Sequence, residues 1–162
     1  MPEPVHIAAI DAGSNAVRLS IARAYSALDI EPLVNERCSL RLGEGVFIRH
    51  RFSEDTLKKA VKAFRKLHEF MEEYGVTKYR AVATSATREA QNRKSFNRRI
   101  KQATGISLEV ISAKEESRLG REAVIAAMGP EAQPRCIVDL GGGSLEISLV
   151  RDHTAHLSLI HI

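Results

Sequence analysis

The chain begins its ordered pattern with HIAAID, an apolar run that ends in an acid and passes into small residues. A run of this length closed by a glycine turn predicts a buried strand. VRLSIARA follows with apolar and polar positions in alternation and predicts a second strand. Glu31 to Leu42 alternates less cleanly and predicts a third, after which Gly43 and Gly45 interrupt the pattern. From Ser53 the period changes. Leu57, Ala60, Val61, Phe64, Leu67, His68 and Met71 recur at steps of three and four, which predicts a helix with one buried face. Ser53 suits its N-cap, Glu54 and Asp55 suit its positive end, and Gly75 its stop. His68 lies on the stripe and reads as a core or boundary residue rather than a ligand.

YRAVA then predicts a strand, and TSATREA a turn into a helix running to about Ala103 and closed by Gly105. LEVIS predicts the next strand. Ser112 opens another helix, through Met128 to Gly129. PEAQP, with Pro130 and Pro134, marks the best place for a boundary. RCIVDLG, SLEISLV and HTAHLSLIHI predict three closing strands. The order βββαβαβα followed by βββ implies an α/β layered domain with a mixed sheet over 1–129, a linker at 130–135, and a short β-meander over 136–162.

The pattern repeats itself. IDAGSNAVRLSIAR (10–23) aligns without a gap on VDLGGGSLEISLVR (138–151), so that Asp11 meets Asp139, Gly13 meets Gly141, Ser20 meets Ser148 and Arg23 meets Arg151. In each copy a strand delivers an aspartate to its end, and small residues then turn the chain. Such turns expose backbone N–H groups in nests that hold anions. Gly13, Gly141, Gly142 and Gly143 keep side chains out of the way, and Ser14, Asn15 and Ser144 add donors. An aspartate beside a phosphate-binding turn repels the phosphate unless a cation stands between them. Asp11 and Asp139 are therefore the expected ligands of a Mg²⁺ ion held partly by water.

Charge adds one feature. The net charge is +4, and the surplus concentrates in TREAQNRKSFNRRIK, where Arg88, Arg93, Lys94, Arg98, Arg99 and Lys101 stand against Glu89. This is either a solvated helix face or an electrostatic landing strip for phosphates. Phe96 alone interrupts it with an aromatic ring, so stacking of single-stranded bases is not favoured and no nucleic-acid partner is expected. No apolar segment approaches membrane-spanning length. The N-terminus lacks the pattern of a signal peptide, and the two cysteines, Cys38 and Cys136, are in no metal spacing. A cytoplasmic setting is expected.

Four motifs occur in order: IDAGSNAVRL, VATSATREAQN, ISAKEESRLG and IVDLGGGSLEI. Paired DxGS and DxGGG turns resemble those of the actin, Hsp70 and sugar-kinase superfamily. The finer pattern resembles the exopolyphosphatase / guanosine-pentaphosphate phosphohydrolase (Ppx/GppA) family over residues 5–150. The resemblance implies a ribonuclease H-like (actin-like ATPase) lobe followed by the first strands of a second, similar lobe. It implies hydrolysis of the terminal phosphate of polyphosphate or guanosine pentaphosphate. In VATSATREAQN, one of the hydroxyls of Thr84, Ser85 and Thr87 is expected to cap the helix. The remaining N–H groups form a second anion site, with Arg88 able to close on a phosphate in two-pronged fashion. The resemblance implies the same for Arg88 and a substrate-side role for Arg18. In ISAKEESRLG, Ser112 and Glu115 have capping-box spacing. Glu116 shares a helix face with Leu119, Gly120 and Ala123, and is either structurally paired or poised in a cleft. The resemblance implies that Glu116 is the general base and Glu146 an acid that helps with water or metal. Leu145 departs from the threonine usual there.

The resemblance also implies a complete second lobe, of which three strands are present, and SLIHI departs from the proline- and glycine-containing turn expected near that point. A truncated form with little or no turnover is therefore expected. Its unpaired apolar edge could pair with another copy, with exchange of C-terminal strands in a homodimer. The alternatives are a non-catalytic phosphate- or nucleotide-binding module and an ATP-dependent kinase of the same superfamily.

Overall fold

The computed structural model describes residues 3–27, 29–129, 134–151 and 154–161. They divide into two compact units, Met1–Val110 and Ile111–Ile162. The expected linker at 130–135 falls largely outside the described residues. The division comes before the helix at 113–128, which groups with the C-terminal strands.

In the first unit β1 (Val5–Ala12), β2 (Val17–Ala24) and β3 (Ile30–Cys38) form an antiparallel meander. β4 (Lys78–Ala83) and the two-residue β5 (Glu109–Val110) add in parallel, giving the order β3-β2-β1-β4-β5. Strand alternation sorts the residues. Ala8, Ile10 and Ala12 are buried, as are Val17, Leu19 and Ile21, while Ala9, Asp11, Arg18 and Ser20 point to the exposed face. Helix α2 (Glu54–Glu73) lays Leu57, Ala60, Phe64, Leu67 and Met71 into the same core. Each of the larger side chains, Leu57, Phe64, Leu67 and Met71, contributes roughly 1.5–3 kcal/mol by leaving water. Its N-cap is as expected: Thr56 N–H donates to Ser53 Oγ at 3.0 Å. His68 is half-buried, 3.5 Å from Glu72.

Four details depart from the sequence reading. β3 stops at Cys38 rather than Leu42, and Pro32 sits beside a register shift against β2, a place an edge strand tolerates. LEVIS contributes two strand residues. A short helix α1 (Val46–Arg49) follows Gly45, whose φ is +77°. The expected helix from TSATREA to Ala103 is two helices, α3 (Ser85–Glu89) and α4 (Arg93–Thr104). The break has a cause. The Asn92 side chain binds the backbone of Phe52 twice, accepting from its N–H at 2.9 Å and donating to its carbonyl at 3.0 Å. The Phe52 ring stacks on Phe96 of α4, with centroids 4.7 Å apart. Tertiary bonds therefore hold the chain extended at Ala90 where local propensity alone would continue a helix.

In the second unit α5 (Ala113–Met128) is capped by Ser112, whose Oγ accepts from Glu115 N–H at 3.1 Å. β6 (Cys136–Leu140), β7 (Leu145–Arg151) and β8 (Thr154–His161) form an antiparallel sheet with β7 at its centre.

Candidate active site

The first bend joins β1 to β2. Ala12 faces Val17 and Asp11 faces Arg18 across the ladder, and Gly13 N–H donates to Ala16 O at 3.0 Å. A Cβ on Gly13 would stand 3.3 Å from that carbonyl and 3.9 Å from both carboxylate oxygens of Asp11, so the acid folds back over the bend. Asn15 and Arg18 are exposed, whereas Ser14 is buried. The parallel β4 brings a second segment to the same end of the sheet. Ala12 stands beside Ala83, and Thr84 N–H donates to Ala12 O at 3.3 Å. Ser14 and Ser85 share a buried hydroxyl–hydroxyl bond of 2.7 Å. Gly13, Ser14, Asn15, Arg18, Thr84, Ser85 and Arg88 thus lie in one unit around two adjoining turns, with Arg88 half-buried on α3.

The expected hydroxyl cap is corrected. Thr84 is the N-cap of α3 but makes no side-chain capping bond; the Ser85 hydroxyl is taken by Ser14, and the buried Thr87 Oγ1 has no hydrogen bond among the described residues. The five-residue α3 carries little dipole of its own. The basic run does not form a continuous strip either. Arg99 is engaged two-pronged by Glu54, at 2.8 and 3.0 Å, and Arg93 donates to the carbonyl of Arg88 at 3.1 Å.

One contribution was missed from sequence. The loop after β3 clasps the bend from outside: Arg41 N–H donates to Asn15 O at 2.9 Å and Gly43 N–H to Ser14 O at 2.8 Å. The glycines at 43 and 45 were its signal, but they read as a simple interruption.

The second bend, within its own unit, reproduces the first. Leu140 faces Leu145, Asp139 faces Glu146, and Gly141 N–H donates to Ser144 O at 2.9 Å, each the counterpart of a contact above. The sequence repeat is thus a repeat of register and of hydrogen bonding. The chemistry is not repeated. Where Asp11 faces Arg18, Asp139 faces an acid, Glu146, which is buried. Helix α5 runs over that face. Ser117 and Ser148 hydroxyls meet at 3.5 Å, and a Cβ on Gly120 would stand 3.4 Å from Asp139 Oδ2. Glu116 is one turn before Gly120 on the same helix face. Glu115 is drawn elsewhere: Arg118 grips it with two bonds of 2.8 Å and also binds Glu122 at 2.7 Å. Those bonds, Glu115 first, raise the Arg118 pKa above its ordinary value.

Two acids directly opposite each other on neighbouring strands repel unless a proton or cation intervenes. Asp139 and Glu146 form such a pair, so this face fits a divalent cation better than the first bend, where Arg18 already opposes Asp11. Among the described residues no three His, Cys, Asp or Glu side chains are grouped closely enough to hold a metal by themselves. Hard cations that keep water and phosphate oxygens as ligands need fewer.

The Ppx/GppA phosphatase family matches residues 20–159. The chain belongs to the Ppx/GppA phosphatase family. Exopolyphosphatase 2 of Mycobacterium tuberculosis is 34% identical over 151 residues, covering 88% of this chain and 47% of that protein. Exopolyphosphatase 1 of Mycobacterium leprae is 30% identical over 155 residues, 96% of this chain and 46% of that one. The Aquifex aeolicus Ppx/GppA family member superposes with a TM-score of 0.82 at 30% identity, covering 98% of this chain and 51% of that one. An exopolyphosphatase of Cytophaga hutchinsonii gives 0.89 at 28% identity, covering 96% and 50%. The mixed α/β architecture is therefore that of the Ppx/GppA proteins and their actin-like ATPase fold. The Ppx/GppA chain in hand spans about half the length of the curated relatives it matches. No helix among its described residues is long and apolar enough to cross a membrane.

Proposed function

We propose that the chain carries the phosphate-gripping and water-activating residues of a phosphohydrolase that releases terminal phosphate from inorganic polyphosphate. The observation that carries this reading is the doubled bend, alike in register but unlike in charge: Asp11 against Arg18 in one, Asp139 against Glu146 in the other. The first bend suits the phosphoryl chain. Backbone N–H groups of the turns, the Thr84 hydroxyl and the guanidinium groups of Arg18 and Arg88 supply donors that match phosphate oxygens. The second bend, with Gly141, Gly142, Gly143 and Ser144, adds a further nest. Asp139 and Glu146 would hold Mg²⁺, which when bound neutralises charge on the phosphoryl oxygens. Glu116 acts as general base. It takes a proton from water as the water oxygen bonds to the terminal phosphorus, and the bridging P–O bond breaks to leave a chain one unit shorter.

Guanosine pentaphosphate is the alternative substrate and presents the same terminal phosphoryl group. A second reading is a non-catalytic phosphate- or nucleotide-binding module built on the same two bends. An ATP-dependent kinase fits less well, since VATSATREAQN and KEESRLG belong to the phosphatase pattern. Two free thiols, Cys38 and Cys136, support a cytoplasmic setting. The test is phosphate release from long-chain polyphosphate with Mg²⁺, for the wild type and Glu116→Gln, alongside polyphosphate binding by both. Loss of a general base lowers the rate about 10²–10⁴-fold with binding retained. Binding by both proteins with release by neither gives the module reading, and absence of binding sinks both.

A further inference from the structure

The first unit holds a cavity of about 500 Å³ between helix α2 and the loop after β3. This volume suits a small-molecule ligand. Leu40, Ala63 and Cys38 line it together with four cations: Arg41 on the loop and Lys59, Lys62 and Lys66 on the helix. The lysines occupy positions i, i+3 and i+7, so they form a row along one helix face about 10 Å long. Acids are present too. Glu44 is on the wall, Lys59 pairs with Asp55 at 2.6 Å, and Lys66 pairs with Glu36 at 3.3 Å. Arg41 on the loop and Lys62 on the helix have no ion-pair partner among the described residues. A single carboxylate would meet one of these cations. An extended anion with several charges matches the row of lysines along α2 with more than one group.

The cavity is coupled to the first bend by backbone. Arg41, which lines it, donates its N–H to Asn15 O, and Gly43 in the same loop donates to Ser14 O. A ligand that draws in the Arg41 side chain therefore stiffens the clasp around the bend.

We propose that this cavity is a second anion site, separate from both bends, that takes a short chain of phosphoryl groups, either inorganic or carried on a nucleoside. The site does not require the bends to be catalytic.

Cys38 reports on it, being half-buried in the cavity lining. In a Cys136→Ser background, alkylation of Cys38 by the neutral reagent iodoacetamide is followed with and without tripolyphosphate, and then with GTP. Tripolyphosphate at about ten times its Kd is expected to slow alkylation about tenfold, following the fraction of protein left unbound. Protection should vanish in Lys62→Gln/Lys66→Gln, return in Lys62→Arg/Lys66→Arg, and persist in Arg88→Ala. Equal protection by both ligands assigns the site to the phosphoryl chain alone; stronger protection by GTP assigns it to nucleoside polyphosphates. No protection by either ligand, in protein whose circular dichroism is native, overturns the proposal. So does protection that survives the glutamine pair but disappears in Arg88→Ala, because the ligand is then acting from the bend. Failure of phosphate release in the Glu116→Gln comparison leaves this readout untouched, so the two readings fail separately.

Discussion

A Cβ at Gly43 would stand 2.6 Å from Phe47 Cε2 and 3.2 Å from Ser14 Cβ. The two neighbours differ in freedom. Phe47 is on the surface and its ring can swing away. Ser14 is buried, its carbonyl takes the Gly43 N–H, and its hydroxyl is bound to Ser85. Gly43→Ala therefore pushes on the bend itself. Overpacking of this kind costs about 1–3 kcal/mol, and here much of it falls on the geometry of the turn. The expected outcome is weaker polyphosphate binding, by calorimetric titration, with a small fall in melting temperature. Unchanged binding would mean that the clasp does not shape the bend. Single residues of the site were legible where chemistry and spacing coincide, as with Asp11, Gly13 and their counterparts. Gly43 was not, because a glycine required by close approach looks in sequence like one required by a turn. Thr87 was one of three hydroxyls expected to cap α3, yet it is fully buried and no side chain caps that helix; a one-turn helix carries too little periodicity to tell its inner from its outer face.

Helices α2 and α4 were legible to different degrees for a physical reason. α2 has a clean apolar stripe and its own caps, all local signals. The start of α4 depends on Asn92 reaching Phe52, forty residues earlier in the chain, which no local pattern records. A second bond ties the same two helices. Arg99 of α4 donates two hydrogen bonds to Glu54 in the first turn of α2. Those bonds outweigh the opposing cost of desolvation and hold the Glu54 carboxyl below its ordinary value near 4.5. The sign follows from linkage. A carboxyl whose folded pKa is depressed contributes stability above its unfolded value, and this is lost as pH falls through the folded value. Arg99→Ala should therefore lower the melting temperature at pH 6–7, and the gap from wild type should close as pH falls below about 4.5. Both side chains are partly exposed, so the gap is small. A gap of constant size down to pH 3 would assign the effect of Arg99 to packing rather than to the ion pair.

Across the whole chain the repeat was legible because it is written in residue types at fixed register. Which face of each copy is covered was not, because that depends on helices elsewhere in the chain. In the first unit, Ile10, Ala12 and Ile21 are buried with the α2 and α4 residues of the core. Their counterparts in the second unit are Val138, Leu140 and Leu149, and these are 60%, 78% and 45% exposed. There the other face is covered, with Glu146 and Ser148 buried on the α5 side. The second unit thus shows solvent the apolar face that the first hides. Contiguous exposed apolar surface of this kind favours association. It is the physical ground for proposing that copies of the chain pair through their C-terminal strands. Replacing Val138, Leu140 and Leu149 together by threonine puts a β-branched residue that suits a strand at each position and reduces the apolar surface. Sedimentation velocity should find the wild type associating as its concentration rises and the triple variant remaining monomeric, while near-ultraviolet circular dichroism of the tyrosines, Tyr25, Tyr74 and Tyr79, all in the first unit, stays unchanged. If both proteins associate alike, the contact lies elsewhere and the exposed face of β6 and β7 does not draw copies together.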